Sequence, residues 1–197
     1  MEDNQQLEKL LIKTKGQMNE HRFRHTLGVR DTALQLAQRF GIPSEQAVIA
    51  GILHDYCKYW SRKQMEAVIR SSTKTPQSIL DEPLALWHSH VAADILPEEC
   101  GIDDEEILQA IRYHTTGRPG MTPLEMVVFL ADYIEPGRDF AGVEKIRQIA
   151  EVNLESAVLA ALKNTLLYLL EKNQQIHPET LLAYNYYLRK QMSEVEV

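Results

Sequence analysis

Cysteine is scarce in this chain, with only Cys57 and Cys100 among 197 residues. Two cysteines so placed form neither a disulfide framework nor a CxxC site, so a reducing, cytoplasmic setting is expected. Positive charge is also short. Twenty-one Lys+Arg face 28 Asp+Glu, for a net charge of −7, with a pI near 5.5. A nucleic-acid partner is therefore not expected, because such affinity comes from a basic face. A small anionic ligand stays open, provided local cations or a metal hold it. No run approaches the ~18 apolar residues of a membrane span, and the opening MEDNQQLEKLL has no basic-then-apolar leader pattern, so no membrane partner is expected. Alternating strands, hairpin turns, repeats, low-complexity tracts and dividing linkers are missing as well.

The apolar period is helical nearly everywhere. Val29, Ala33, Leu36, Ala37 and Phe40 recur at steps of 3 and 4, and Gly41 supplies a stop. Pro43-Ser44 opens a segment running AVIAGILHD. Ser61 and Gln64 have capping-box spacing before a helix ending near Arg70. Pro83 suits a first helical position ahead of LALWHSHVAADIL, and Asp103 with Glu106 fits the start of ILQAIRYH. Thr122-Pro123-Leu124-Glu125 starts MVVFLADYI, and Glu135-Pro136-Gly137 stops it. Residues 143–172 read as one or two helices, and Pro178 begins another through TLLAYNYYLRK, leaving SEVEV as a loose tail. Cap counting gives roughly eight to ten helices. The expected fold is a single all-α domain over 1–197, a helical bundle with a metal site between helices.

Four of the seven histidines fall on or at the end of an apolar stripe. His25 precedes Val29 by four, and His54 continues Ala47 and Ala50. His88 shares a face with Leu84, Val91 and Ile95, and His114 follows Ile107 and Ile111. One inward histidine is usually a hydrogen-bonded core residue; four on separate helices point to a common centre. Asp132 lies inside the very apolar MVVFLADYI, where a carboxylate is costly unless a cation or donors compensate it. Its bland alternative is a buried salt bridge to Arg138 or Arg147. Asp55 follows His54 directly, and adjacent helical residues diverge by about 100°, so both reach one ion only in a pocket between helices. Together His25, His54, Asp55 and Asp132 make a mixed nitrogen and oxygen ligand set that leaves two octahedral positions for water and substrate. His88 and His114 are left to hold a second ion or to donate protons or hydrogen bonds.

The pattern H…HD…D resembles the all-helical HD-domain superfamily of metal-dependent phosphohydrolases. Five blocks narrow the resemblance to the YqeK family: RHTLGV at 24–29, LHDYCK at 53–58, YHTTGRPGM at 113–121, FLADYIEPGRDF at 129–140 and IHPETLLAYNYY at 176–187. The resemblance implies a symmetrical diadenosine tetraphosphate hydrolase that releases two ADP and uses iron; Mn, Co, Ni or Zn suit the same ligands. It carries the metal roles onto His25, His54, Asp55 and Asp132, matches His88 and His114 to the remaining site histidines, and makes a homodimer the expected assembly. Residues 18–135 would hold the metal site, and helices over 140–192 would complete the nucleotide pocket.

Asp55, His88 and His114 are the expected catalytic residues. Lys58, one turn beyond Asp55, would set an ammonium against phosphate, unless it is a solvated surface lysine. Arg138 suits phosphate oxygens, Thr115 follows His114 at a helix end, and His177 with Thr180 begins the last helix, whose free N–H groups favour anions. Read alone, His177 is only a cap. With His25, Asp55, His88, His114 and Asp132 these residues would surround the nucleotide substrate. TTGRPG lacks P-loop spacing. His21 and His90 are expected outside the inner site, Cys57 to be a small buried hydrophobe, and Tyr184, Tyr186 and Tyr187 to be packing. The rivals are an HD-type nucleotidase or deoxynucleotide triphosphohydrolase, a non-catalytic nucleotide sensor, and a purely structural helical protein.

Overall fold

Short polar side chains start the helices. Asn19 accepts from the Arg22 amide, Thr122 from Glu125 and Asn153 from Ser156, while Ser61 and Gln64 cap each other reciprocally. The protein is described by a computed structural model over residues 2–195. Ten α-helices follow in order: α1 (Glu2–Lys15), α2 (Glu20–Phe40), α3 (Ser44–Leu53), α4 (Arg62–Ser71), α5 (Leu84–Cys100), α6 (Glu105–Tyr113), α7 (Pro123–Ile134), α8 (Val143–Ala150), α9 (Leu154–Glu171) and α10 (Pro178–Val195). A short 3-10 turn, Gln77–Asp81, precedes α5. No strand occurs among the described residues.

Several boundaries differ from the sequence reading. Helix α3 stops at Leu53, so His54 and Asp55 occupy the turns after it rather than the helix. Pro83 stands just before the first residue of α5 instead of within it, and Asp104, not Asp103, caps α6 by accepting from the Glu106 amide. The 143–172 stretch is two helices, because Asn153 caps a fresh start. Helix α10 continues to Val195, so the expected loose tail is helical as far as that residue, and 196–197 lie outside the described residues. Helix α1 had not been anticipated; Leu10 is buried, and Leu7 and Leu11 pack against the core beside it.

The core runs from Leu10 on α1 to Tyr187 on α10. Helices α2 and α3 lie against each other and against α7, α6 joins α3 to α5, and α9 covers α7 while touching α8 and α10. Buried ion pairs tie the elements that carry the site. Arg112 on α6 reaches Asp94 on α5 at 2.7 Å and the Thr75 hydroxyl at 2.6 Å. Arg118 forks onto the buried Glu125 at 2.8 and 2.7 Å, fastening the loop after α6 to the start of α7. Tyr187 is buried, and Tyr184 and Tyr186 pack on the core. Cys57 is likewise fully buried.

The α2–α3 apposition depends on Gly51. A Cβ there would stand 3.0 Å from the Arg30 Cα and 3.3 Å from its nitrogen. Those atoms are helical backbone and cannot turn aside. Gly51→Val should therefore cost about 1–3 kcal/mol through overpacking. Thermal unfolding is the check, with a fall of roughly 2–4 °C per kcal/mol for a chain of this size.

Candidate metal centre

Three helix C-termini meet at one place. Helix α3 delivers His54 and Asp55 just past its end, α6 delivers His114 at its cap, and α7 delivers Asp132 in its last turn. Exposed carbonyls there carry the negative end of each helix dipole, which favours a cation. The early turns of α2 and α5 add His25 and His88. His25, His54, Asp55, His88 and His114 are buried, and the Asp132 side chain is 18% exposed.

Asp55 is the hub. Its Oδ2 lies 3.0 Å from His54 Nε2 and 3.7 Å from His25 Nε2; its Oδ1 lies 3.0 Å from His88 Nε2 and 4.0 Å from His114 Nε2. Asp132 Oδ1 is 3.0 Å from His25 Nε2 and 4.0 Å from His54 Nε2. Three overlapping groups could each take a metal: His25–His54–Asp55, His54–His114–Asp132 and Asp55–His88–His114.

The other ring nitrogens explain why every Nε2 points inward. His54 Nδ1 donates to the Gly51 carbonyl at 2.8 Å, His88 Nδ1 to Ala85 at 2.8 Å, and His114 Nδ1 to Ile111 at 2.7 Å. Each acceptor lies three residues upstream. His25 Nδ1 donates to Glu135 Oε1 at 3.0 Å. A proton held on Nδ1 leaves the lone pair of a neutral ring on Nε2, the arrangement that presents imidazole to a metal.

The resulting centre has more acceptors than donors. His88 Nε2 and His114 Nε2 face each other at 3.3 Å. His25 Nε2, His54 Nε2 and both Asp55 oxygens are buried without a hydrogen bond, although the Arg22 guanidinium pairs with Asp55 Oδ2. Burial pushes His114 well below the ordinary imidazole value, and His54 and His88 add to the effect. Burial also lowers His88, against the pull of the nearby Asp55 carboxylate. It would raise Asp55, yet the imidazoles of His54 and His88 against its two oxygens hold that carboxyl well below the usual range. Asp132 is lowered too, its burial outweighed by His25, His54 and Arg138. Burial would lower His54, but Asp55 prevails and raises it. Orphaned lone pairs and carboxylates with lowered pKa in a buried centre fit a divalent cation.

The remaining expected residues are placed as follows. The Lys58 backbone amide donates to the Asp55 carbonyl at 2.9 Å, while its half-buried ammonium makes no hydrogen bond or ion pair among the described residues; burial lowers its pKa while Asp55 and Asp132 resist. Arg138 forks onto Asp132, through Nη2 to the carboxylate and Nε to its carbonyl at 2.7 Å. Arg147 does not pair with Asp132; it braces the carbonyls of Ile134, Glu135 and Arg138. Thr115 meets the Ser89 hydroxyl at 3.4 Å. The buried Thr180 hydroxyl donates to the Thr116 carbonyl at 3.0 Å, and His177 Nδ1 accepts from the Glu179 amide at 3.2 Å, as a cap does. His90 is buried with neither ring nitrogen bonded, and burial with Arg112 and His177 pushes it down to about 3. His21 is exposed. Two neighbours carry no signal in the sequence: Arg22, in the charged run EHRFRH, and Glu135, which the sequence marks only as part of a helix stop.

A cavity of about 480 Å³ opens beside the cluster, lined by His21, Arg22, Arg24, His25, Gly28, Arg138 and the turn Glu135–Gly137. The larger groove of about 490 Å³ between Phe40 and Glu155 contains none of the clustered residues.

The chain has known relatives. The chain is 48% identical over 179 residues to the symmetrical bis(5'-nucleosyl)-tetraphosphatase of Bacillus subtilis, covering 91% of this chain and 96% of that one. It is 38% identical to the protein of that name from Staphylococcus aureus, over 92% and 94% of the two chains. The crystal structure of a protein from Clostridium acetobutylicum, described as a predicted HD superfamily hydrolase involved in NAD metabolism, superposes with a TM-score of 0.88 at 34% identity, covering 93% of this chain and 97% of that one. Residues 22–137, which contain every member of the buried cluster, match the HD domain model, and the chain belongs to the HD domain family.

Proposed function

We propose that this protein is a metal-dependent phosphohydrolase that cleaves diadenosine tetraphosphate and related dinucleoside polyphosphates symmetrically. Its relatives from Bacillus subtilis and Staphylococcus aureus carry the name of that activity. The observation that carries the chemistry is the two-sided Asp55 carboxylate, with His54 on one oxygen and His88 on the other. Asp55 would bridge two cation positions, His25, His54 and Asp132 serving one side and His88 with His114 the other. His88 and His114 suit ion binding better than proton donation, since both are pushed down in pKa and face each other through bare nitrogens.

A divalent ion bound there would polarise a phosphoryl oxygen and make water nucleophilic near neutral pH. Water adds to one inner phosphorus, and the central bridging oxygen leaves with the other half, giving two ADP. Lys58 and Arg138 would offset charge on that leaving diphosphate. The cavity beside the cluster, lined by Arg22 and Arg24, would take the remaining phosphates. Thr115, His177 and Thr180 belong to the nucleotide side of this reading, with residues 140–192 closing a single domain around the 18–135 core. The mixed donor set suits Fe, Mn, Co, Ni or Zn more than Mg, and among these the family resemblance favours iron. A homodimer and a cytoplasmic setting complete the proposal.

Iron-loaded protein incubated with diadenosine tetraphosphate should yield ADP alone on anion-exchange analysis. Unchanged substrate, with metal confirmed bound, would overturn this function and favour the mononucleotide-cleaving alternatives. Asp55→Ala should abolish turnover and lower metal content, whereas Arg70→Ala, exposed on α4, should do neither; elemental analysis and kinetics together decide. Lys58→Met should lower kcat/KM about 10–100-fold, the worth of one charge-assisted hydrogen bond, at unchanged metal content.

A further inference from the structure

Three of the four clustered histidines are anchored by backbone carbonyls from their own local turns. His25 is the exception. Its Nδ1 reaches 110 residues along the chain to the Glu135 carboxylate. His25 lies in the early turns of α2, and its ring takes an acceptor from the end of α7 instead of a carbonyl of its own helix.

Glu135 is built in rather than incidental. Its side chain is 6% exposed. Oε1 accepts from His25, and Oε2 accepts from the Gly137 amide at 2.5 Å. The slot around it is walled by glycines. A Cβ on Gly28, one turn after His25, would stand 2.5 Å from Oε2; a Cβ on Gly137 would stand 2.9 and 3.0 Å from the two oxygens. Both walls therefore exclude any side chain from the space the carboxylate fills. Neither nearby guanidinium serves it, since Arg138 holds Asp132 and Arg147 holds carbonyls, including that of Glu135 itself. Among the described residues His25 is its only ion-pair partner. A buried carboxylate without Lys or Arg is costly, and positive charge on the far face of the His25 ring would offset it.

We propose that Glu135 is a positioning residue: it fixes the His25 ring and thereby sets how tightly the His25–Asp132 end of the cluster holds a divalent cation, with Gly28 and Gly137 keeping its carboxylate in place. The inference rests on the metal reading of the cluster. It makes the two ends unlike, one anchored by a carboxylate and the other by carbonyls alone.

The test is a Mn²⁺ titration of the full chain followed by electron paramagnetic resonance, alongside thermal unfolding with chelator and with excess Mn²⁺. Glu135→Gln keeps the shape and removes the charge. Gly28→Ala leaves every candidate ligand and Glu135 itself intact but pushes the carboxylate from its slot. Both should weaken Mn²⁺ binding 10–100-fold, the usual cost of losing such an outer partner, and shrink the Mn²⁺-induced rise in Tm. Wild-type affinity and stoichiometry in the two variants would overturn the proposal. So would an equal loss of Tm with and without Mn²⁺, which marks a purely structural role. Should Glu135→Gln fail to fold, Gly28→Ala decides alone. Absence of Mn²⁺ binding by the wild-type protein would instead remove the metal reading, and this inference with it.

Discussion

Everything in this protein's centre follows from a crowding of lone pairs. Four imidazoles commit their Nδ1 protons outward and turn bare Nε2 atoms towards two carboxylates. In water such a cluster would be solvated. Between five helices it is buried, and acceptors at 3.0–4.0 Å repel unless positive charge sits among them. Arg22 and Arg138 supply part of that charge from the rim. The histidine and carboxylate donors fit a divalent ion for the rest.

The fold can be understood as the means of holding this arrangement. Stopping α3, α6 and α7 at the same level brings three sets of helix-end carbonyls together. Two of these carbonyls, Gly51 and Ile111, then take the His54 and His114 protons. A helix end thus orients its own ligand without help from elsewhere. His25 lacks that option, which is why the α7 turn must bring Glu135 to it and why Arg147 braces that turn. The Arg112–Asp94 pair does the same between α5 and α6, keeping His88 and His114 in register. Its buried charges gain little stability by themselves; what they fix is the relative placement of two helices.

Legibility in the sequence tracked locality. Apolar periodicity marks the faces of α2, α3, α5 and α6, and the four clustered histidines lie on those faces, so their inward direction could be read residue by residue. Asp132 stood out because α7 is apolar nearly all round. Helix ends were less legible. The His54-Asp55 pair looked helical because nothing polar interrupts AVIAGILHD, yet α3 stops one residue earlier to free its last carbonyls. Arg22 and Glu135 were illegible for a different reason. Arg22 sits among charged neighbours in EHRFRH, and Glu135 sits in a turn whose proline and glycine already account for the chain direction. Their partners lie 33 and 110 residues away, and only tertiary packing creates those pairs.

The acidic balance of the chain and the proposed polyanionic substrate are reconciled at the same place. At a net charge of −7 the long-range field does not attract a polyphosphate, and at physiological salt that field is screened within about 8 Å. What acts on a bound phosphate is the local set. Arg22 and Arg138 each spend part of a five-donor guanidinium on a carboxylate and keep further donors, Arg22 Nε being buried without a partner. Lys58 is held close to both carboxylates without bonding either, and its lowered pKa records the burial that makes its charge act strongly on a neighbour. Arg24 adds a cation on the cavity wall. The carboxylates that prepare the centre for a cation therefore also gather the guanidiniums that would meet the substrate, and one cluster serves both ends of the chemistry.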